Sequence, residues 1–102
     1  MKLRQTVIDD VKNGTIKEDS FGKAVLPKDL EVASLGGYVY ISRDPSLGLE
    51  IVFLDSAPAA GANEIGTLYC EGDISAQSVT AGGFQWQLER PGEKNFWMVS
   101  RM

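Results

Sequence analysis

Between Tyr38 and Leu54 the chain reads as two alternating, β-favouring segments, 38–43 and 49–54, around the five-residue stretch 44–48. Asp44 can accept backbone hydrogen bonds at the first corner, and Pro45 presets φ for the next position. Gly48 tolerates the left-handed conformation that returns the chain to the ladder. The pattern predicts an antiparallel hairpin over residues 38–54, and hence a fold built on a sheet.

A second hairpin is predicted over residues 84–101, with strands 84–89 and 95–100. Its aromatic and charge patterns favour a register in which Trp86 faces Trp97 and Glu89 faces Lys94. A further strand is predicted over 66–71, after a loop of small residues over 55–65. Residues 74–80 fit a loop, a short strand or a single helical turn. The two hairpins and the strand over 66–71 together predict a sheet of about five strands.

The N-terminal part has the pattern of a helix. Apolar residues at positions 3, 7, 8 and 11 form one stripe, and Asn13-Gly14 is a good helix stop. A second short helix is expected over 26–35, because Pro27 suits a first turn and Gly36-Gly37 would end it. An extended segment competes there, since Val32 is a poor helix former. The predicted fold class is α+β, with one or two short N-terminal helices packed on a mostly antiparallel sheet.

Length and composition narrow the classes of protein. The 102 residues suit a single domain over 1–102, and 43% hydrophobic and 24% charged residues are typical of a globular chain. Cys70 is the single cysteine, so no internal disulfide can form. The sequence shows no signal peptide and no apolar run long enough to span a bilayer, and the expected location is therefore cytoplasmic.

Histidine is absent, which excludes Ser-His-Asp and Cys-His catalysis and histidine-ligated zinc. Cys70 is expected to act as a small hydrophobe in its strand rather than as a nucleophile. Glu71 and Asp73 form an isolated carboxylate pair of the kind that shapes a turn. We therefore expect no catalytic site, no metal and no cofactor.

The charge distribution is uneven. The net charge is −4, and no Lys or Arg occurs between Arg43 and Arg90. The acids of this interval are Asp44, Glu50, Asp55, Glu64, Glu71, Asp73 and Glu89. Nucleic-acid binding is disfavoured, because a phosphate backbone needs clustered cations. A solvated acidic surface is the simplest interpretation, and a basic protein partner or a bound divalent cation are the alternatives.

Both faces of the first hairpin are apolar. Val39, Ile41, Ile51 and Phe53 share one side, and Tyr38, Tyr40, Val52 and Leu54 share the other. A sheet face in water should be polar, so the second face is expected to be covered by a helix, by another copy of the chain or by a ligand.

The candidate binding residues are aromatic, because such side chains are enriched where proteins bind partners and ligands. They are Tyr38, Tyr40, Tyr69 and Trp97, whereas Trp86 is assigned to the core.

Three functional hypotheses follow. The first is a small soluble binding or interaction domain that acts as a homo-oligomer, for example as an accessory protein of a bacterial mobile element. The second is an acidic neutraliser of a basic protein partner, of the immunity or anti-defence type. The third is a small enzyme or small-ligand binder in a curled sheet. As an enzyme, the third needs at least two of a set of six groups to converge in one cleft. The set is Asp55, Glu64, Glu71, Asp73, Tyr40 and Tyr69.

Overall fold

The computed structural model describes residues 2–56, 64–75 and 77–102. In these ranges it has one α-helix, α1 (Lys2–Lys12), and seven strands. The strands are β1 (Lys23–Val25), β2 (Tyr38–Asp44), β3 (Gly48–Ser56), β4 (Ile65–Cys70), β5 (Ser78–Ala81), β6 (Phe84–Pro91) and β7 (Phe96–Arg101). Of the loop expected over 55–65, residues 57–63 lie outside the described ranges.

All the strands pair antiparallel in one sheet, in the order β1-β2-β3-β4-β7-β6-β5. The sheet curls, so that β5 at one end comes into contact with β2 and β3 near the other end. Register shifts between Leu54 and Ser56 and between Leu88 and Arg90 contribute to this shape, because bulges bend and twist a strand. The predicted helix on an antiparallel sheet is confirmed, with more strands than expected.

The helix covers one face of the sheet. Val7, Ile8 and Val11 of α1 are buried, as the apolar stripe predicts, and Leu3 at the start of the stripe stays 38% exposed. They join a cluster with the first predicted face of the hairpin, Val39, Ile41, Ile51 and Phe53, and with Tyr69 of β4. Gly14, with a φ of 85°, follows the end of the helix as predicted.

The other face of the hairpin is covered by the same chain. Tyr40, Val52 and Leu54 pack against β5, β6 and β7 in a second cluster, whose centre is the fully buried Trp86. The indole Nε1 of Trp86 donates a hydrogen bond to the Ala81 carbonyl at 3.1 Å. Curling of the sheet therefore covers the second apolar face of the hairpin. From the sequence, a helix, a second copy or a ligand was expected to cover it.

The second helix expected over 26–35 does not form. Two single 3-10 turns, Glu31–Ala33 and Leu35–Gly37, occupy this region, separated by an extended Ser34. The buried Ser34 hydroxyl accepts a hydrogen bond from the Leu54 N–H at 2.8 Å, and this tertiary contact favours the extended conformation over a continuous helix. The ambiguous stretch 74–80 contributes β5, and β1 is a further strand that the sequence pattern did not reveal.

The predicted register of the last hairpin is wrong. Trp86 pairs with Arg101, and beyond the bulge Pro91 pairs with Trp97. The turn lies later than expected, with the Gly92 N–H bonded to the Phe96 carbonyl at 2.9 Å. Trp86 and Trp97 nevertheless share a face of the sheet, as their predicted pairing required, because both pack on the inner cluster with Leu88 and Val99. Tertiary packing outweighs the cross-strand charge match here.

The tight turn between β5 and β6 lies against Tyr40, where the curled sheet closes on itself. Gly82 and Gly83 both have positive φ, 64° and 79°, between the paired residues Ala81 and Phe84. A Cβ on Gly82 would overlap the Tyr40 ring, whereas a Cβ on Gly83 would meet nothing within 4 Å.

Gly82→Ala and Gly83→Ala therefore form a matched pair. The left-handed backbone costs each variant about 1–2 kcal/mol, and overpacking against Tyr40 should cost Gly82→Ala a further ~1–3 kcal/mol. Urea denaturation of both variants measures the difference. Equal losses of stability would show that β5 and β6 do not close on Tyr40.

Candidate functional site

A groove of about 350 Å³ lies where β5 approaches the β2–β3 hairpin. It is called the acidic groove below. Its lining residues are Ser42, Asp44, Leu47, Glu50, Ser78, Val79 and Thr80. Its volume is at the lower end of the range of small-molecule sites, roughly 300–1,000 Å³. In the described sheet β5 pairs with β6, and it faces β2 and β3 without being their neighbour in the hydrogen-bonded order. The groove therefore exists because the curled sheet closes by side-chain packing on this side.

Glu50 forms the floor of the acidic groove. Alternation along β3 places it on the same face as Val52 and Leu54, and it pairs with Ser42 on β2 and Cys70 on β4. It is only 2% exposed, and its Oε2 is buried without a hydrogen-bond partner. Burial, together with the negative charge of Asp44, raises the pKa of Glu50 to about 7.

Asp44 is held in place by the hairpin turn. Its Oδ1 accepts hydrogen bonds from the N–H groups of Ser46 and Leu47 at 2.7 and 3.0 Å, which is the corner role that the sequence predicts. These bonds keep the carboxylate fixed at the end of β2, where it lines the groove beside Glu50. A rigid anionic group therefore stands next to the buried one.

The remaining lining is neutral. Ser42, Ser78 and Thr80 supply hydroxyl groups, Leu47 and Val79 supply apolar surface, and no Lys or Arg lines the groove. The neighbouring Arg43 is engaged elsewhere, by Glu18 at 3.1 Å. The groove thus offers hydrogen-bond acceptors and negative charge to a ligand.

Cys70 lies beside Glu50 in the sheet. It is 1% exposed, and its Sγ contacts the Leu47 carbonyl at 3.7 Å. Burial, aided by the surrounding carboxylates, raises the pKa of the Cys70 thiol. A thiol in this state is a weak nucleophile, in line with the role of small hydrophobe predicted for it.

A second cavity, of about 250 Å³, lies on the helix side and is lined in part by Arg4, Thr67, Phe96 and Met98. Its charged lining residues are Arg4 and the exposed Glu93. Arg4 is already used, because it donates to the Ala33 carbonyl at 2.9 Å and pairs with Asp55 at 2.5 Å. This cavity is mainly apolar, and its guanidinium is satisfied by the protein. The acidic groove is therefore the stronger candidate.

The four predicted aromatic residues do not form one surface. Tyr38 and Tyr40 lie on the inner side with ring centroids 5.5 Å apart, and Trp97 packs against the same inner cluster. Tyr69 lies in the helix-side cluster, next to Phe96. Tyr40 and Tyr69 are buried, and Tyr38 and Trp97 are half-buried. A binding role for these residues stays a prediction.

The acids of the enzyme hypothesis are spread over the molecule. Arg4 holds Asp55, Arg101 holds Glu64 at 2.7 Å, and Lys12 holds Glu71 at 3.5 Å. The Leu49 N–H, bonded to Glu71 at 2.8 Å, also keeps the pKa of that carboxyl below its usual range. Burial, together with Tyr38, raises the pKa of Tyr40 to about 12, so its hydroxyl stays protonated at neutral pH.

Sequence reasoning missed Glu50 as a site residue. A signal was present, because Glu50 is the one charged residue inside the apolar run 49–54 and shares its parity with Val52 and Leu54. The same parity rule that assigned those two side chains to a covered face assigns Glu50 to it. Ser78 and Thr80 had no such signal, since only the curl of the sheet brings β5 to the hairpin.

Glu50→Gln tests the state of the buried carboxyl. The folded protein holds this proton more tightly than the unfolded chain, whose pKa is near 4.5. Stability should therefore fall as the pH rises from about 4.5 to about 7, by up to about 3 kcal/mol. The free energy of unfolding of Glu50→Gln, taken relative to that of the parent protein, should therefore increase by the same amount over this range. Urea denaturation of both proteins from pH 4.5 to 8 measures this difference.

Glu93→Gln is the matched control, because Glu93 is exposed on the β6–β7 turn. Its difference in stability from the parent protein should stay flat over the same pH range. A flat profile for Glu50→Gln would mean that water reaches the Glu50 carboxylate in the folded protein.

Within the described ranges no group of three or more His, Cys, Asp or Glu residues could hold a metal ion. The helix in the described part of the chain is too short and too polar to cross a membrane. Comparisons with protein-family models, with curated proteins and with solved structures find no match to this chain.

Proposed function

We propose that this protein is a small-ligand-binding domain whose ligand occupies the acidic groove. The single observation that carries the proposal is the buried Oε2 of Glu50, which has no hydrogen-bond partner and belongs to a residue that lines the groove. Nearly all buried polar atoms in folded proteins are hydrogen-bonded, so an orphaned one calls for an explanation. A ligand that donates a hydrogen bond to Oε2 supplies it.

The energetics support a functional role for Glu50. A carboxyl group in an apolar strand lowers stability at neutral pH, because its charged form loses hydration without gaining a partner. Titratable groups with strongly perturbed pKa values cluster at functional sites. An apolar residue at this position would extend the inner cluster, whereas Glu50 places an acid beside Asp44.

Binding is favoured over catalysis by the groups present. Among the groups named for the enzyme hypothesis, three acids are held in separate ion pairs, Asp73 is exposed, and Tyr40 and Tyr69 belong to different clusters. The acidic groove holds hydroxyls and two carboxyls, with no thiol, amine or guanidinium among its lining residues. This set suits recognition of a hydrogen-bond donor.

A fragment screen followed by ¹H–¹⁵N correlation spectra tests the proposal. Bound fragments should shift the amide signals of residues 42–50 and 78–80 on both sides of the groove. Ser42→Leu, which fills the groove with an apolar side chain, should abolish these shifts. Ser20→Leu, at an exposed turn residue, should leave them unchanged. Shifts confined to the second cavity, near Phe96 and Met98, would contradict the proposal.

Self-association is a second candidate property, favoured by exposed apolar side chains. Phe21, Val25 and Val32, in the segment before β2, are 78%, 75% and 77% exposed. Large exposed apolar side chains are typical of interaction surfaces when they are contiguous. A homo-oligomer formed through this segment would extend the binding function without using the acidic groove.

Sedimentation equilibrium tests the association. The parent protein should show a dimer or larger species that dissociates on dilution, and a triple variant, Phe21→Ser, Val25→Thr and Val32→Thr, should be monomeric. Leu3→Ser, at another partly exposed apolar residue, serves as the control and should associate like the parent. A parent protein that is monomeric at all concentrations contradicts this candidate.

A further inference from the structure

The charges around the acidic groove are unbalanced. Asp44 and Glu50 both line it without a Lys or Arg among the lining residues, and the adjacent Arg43 is paired with Glu18. Other acids of the Lys- and Arg-free interval are paired as well, Asp55 with Arg4 and Glu64 with Arg101. A positively charged ligand would pair with the carboxyl groups of the groove, as Lys and Arg side chains pair with acids elsewhere in the molecule.

The available acceptors favour an organic cation over a metal ion. Calcium takes about six to eight oxygen ligands, whereas the groove has two carboxyl groups, and Asp44 Oδ1 is already used by two backbone N–H groups. An ammonium group needs three acceptors for its three N–H donors. Glu50 Oε2, the second oxygen of Asp44 and one of the hydroxyls of Ser42, Ser78 and Thr80 make up that number.

The apolar walls of the groove indicate which kind of molecule carries the ammonium group. Leu47 is half-buried and Val79 is 7% exposed, and both line the groove. A short aliphatic chain can lie between them, while the charged end reaches the buried Oε2. A planar guanidinium presents five donors in a rigid fork, so the two carboxyl groups and all three hydroxyls would have to align with it at once, whereas an ammonium group needs only three of them.

We infer that the acidic groove binds a primary ammonium group carried on a short aliphatic chain, with Glu50 and Asp44 as its counter-charges. This inference rests on the proposed function and names the ligand class for the same site. The three N–H donors of the ammonium group go to Glu50 Oε2, to Asp44 and to a hydroxyl group of β2 or β5. The aliphatic part packs on Leu47 and Val79.

Binding of this ligand should be coupled to release of a proton. The titratable groups that face Glu50 are Asp44 from β2 and Cys70 from β4, and residues 78–80 of β5 add none. With a pKa near 7, Glu50 is largely protonated in the empty groove below neutrality. An arriving cation favours the carboxylate, so its affinity should rise with pH and level off above about 7. A ligand that accepts a hydrogen bond from protonated Glu50 would show the opposite trend.

Isothermal titration calorimetry with n-butylammonium tests the inference, with 1-butanol and butyrate as neutral and anionic counterparts. Butylammonium should bind more tightly than either, with an affinity that rises up to about tenfold per pH unit below pH 6.5. Proton release should appear as a difference between buffers of different ionisation enthalpy. Glu50→Gln should weaken binding at pH 8 by at least about tenfold and remove the pH dependence.

Asp44→Asn is a second variant, because asparagine keeps the oxygen that accepts from the Ser46 and Leu47 N–H groups while losing the charge. It should weaken butylammonium binding, and Glu93→Gln should not. Spermidine and Nα-acetyl-lysine N-methylamide distinguish the source of the ammonium group. Tighter binding of the first points to a free polyamine, and of the second to a lysine side chain on a protein partner.

The outcomes separate the two proposals. If fragments bind the groove but butanol or butyrate binds as tightly as butylammonium, the inference fails and the proposed function stands. An affinity that is independent of pH, or a tighter site for Ca²⁺ than for butylammonium, also overturns the inference. If neither the probes nor any fragment shifts residues 42–50 and 78–80, both proposals fail.

Discussion

The structure depends on the packing of the β5–β6 hairpin across the inner face of β2 and β3. Tyr40 is at the centre of this contact, with its ring centroid 5.5 Å from that of Phe84 and 5.9 Å from that of Trp86. Gly82 lets the turn backbone approach the Tyr40 ring. This closure buries Trp86 and divides the core into two clusters, one between α1 and the sheet and one inside the curl. A small chain thereby covers both faces of an apolar hairpin by itself.

The same closure creates the acidic groove. Along one part of the junction, aromatic rings and small residues fill the space between β5 and β2. Further along, Ser42, Glu50 and residues 78–80 leave it open. The curl therefore places a carboxyl group in an environment that raises its pKa, next to the turn carboxylate of Asp44. Burial makes the charge of Glu50 costly in the empty protein and strengthens any interaction with a ligand that balances it.

Several acidic side chains between Arg43 and Arg90 form ion pairs in the folded protein with residues far away in the sequence. Asp55, Glu64 and Glu71 look unpaired in the sequence, but each meets a cation from α1 or from the C-terminal strand. These ion pairs join the ends of the chain to the middle of the sheet. Asp44 and Glu50 line the groove together with no Lys or Arg among its lining residues, so negative charge is concentrated at this place.

Short-range patterns in the sequence determined α1, the β2–β3 hairpin with its Asp44 corner, and the faces of the aromatic strands, because these depend on periodicity and on local turn chemistry. They did not determine the extended Ser34, whose hydroxyl bonds to a residue twenty positions away, or the register of β6 and β7, which follows a bulge and core packing. Although sequence reasoning did not single out Glu50, alternation along β3 also carried the signal that this residue shares the face of Val52 and Leu54. Only the tertiary structure decided what covers it, since the curl of the sheet is set by contacts between strands far apart in the chain. The groove, with the buried carboxyl group that lines it, is a product of that curl.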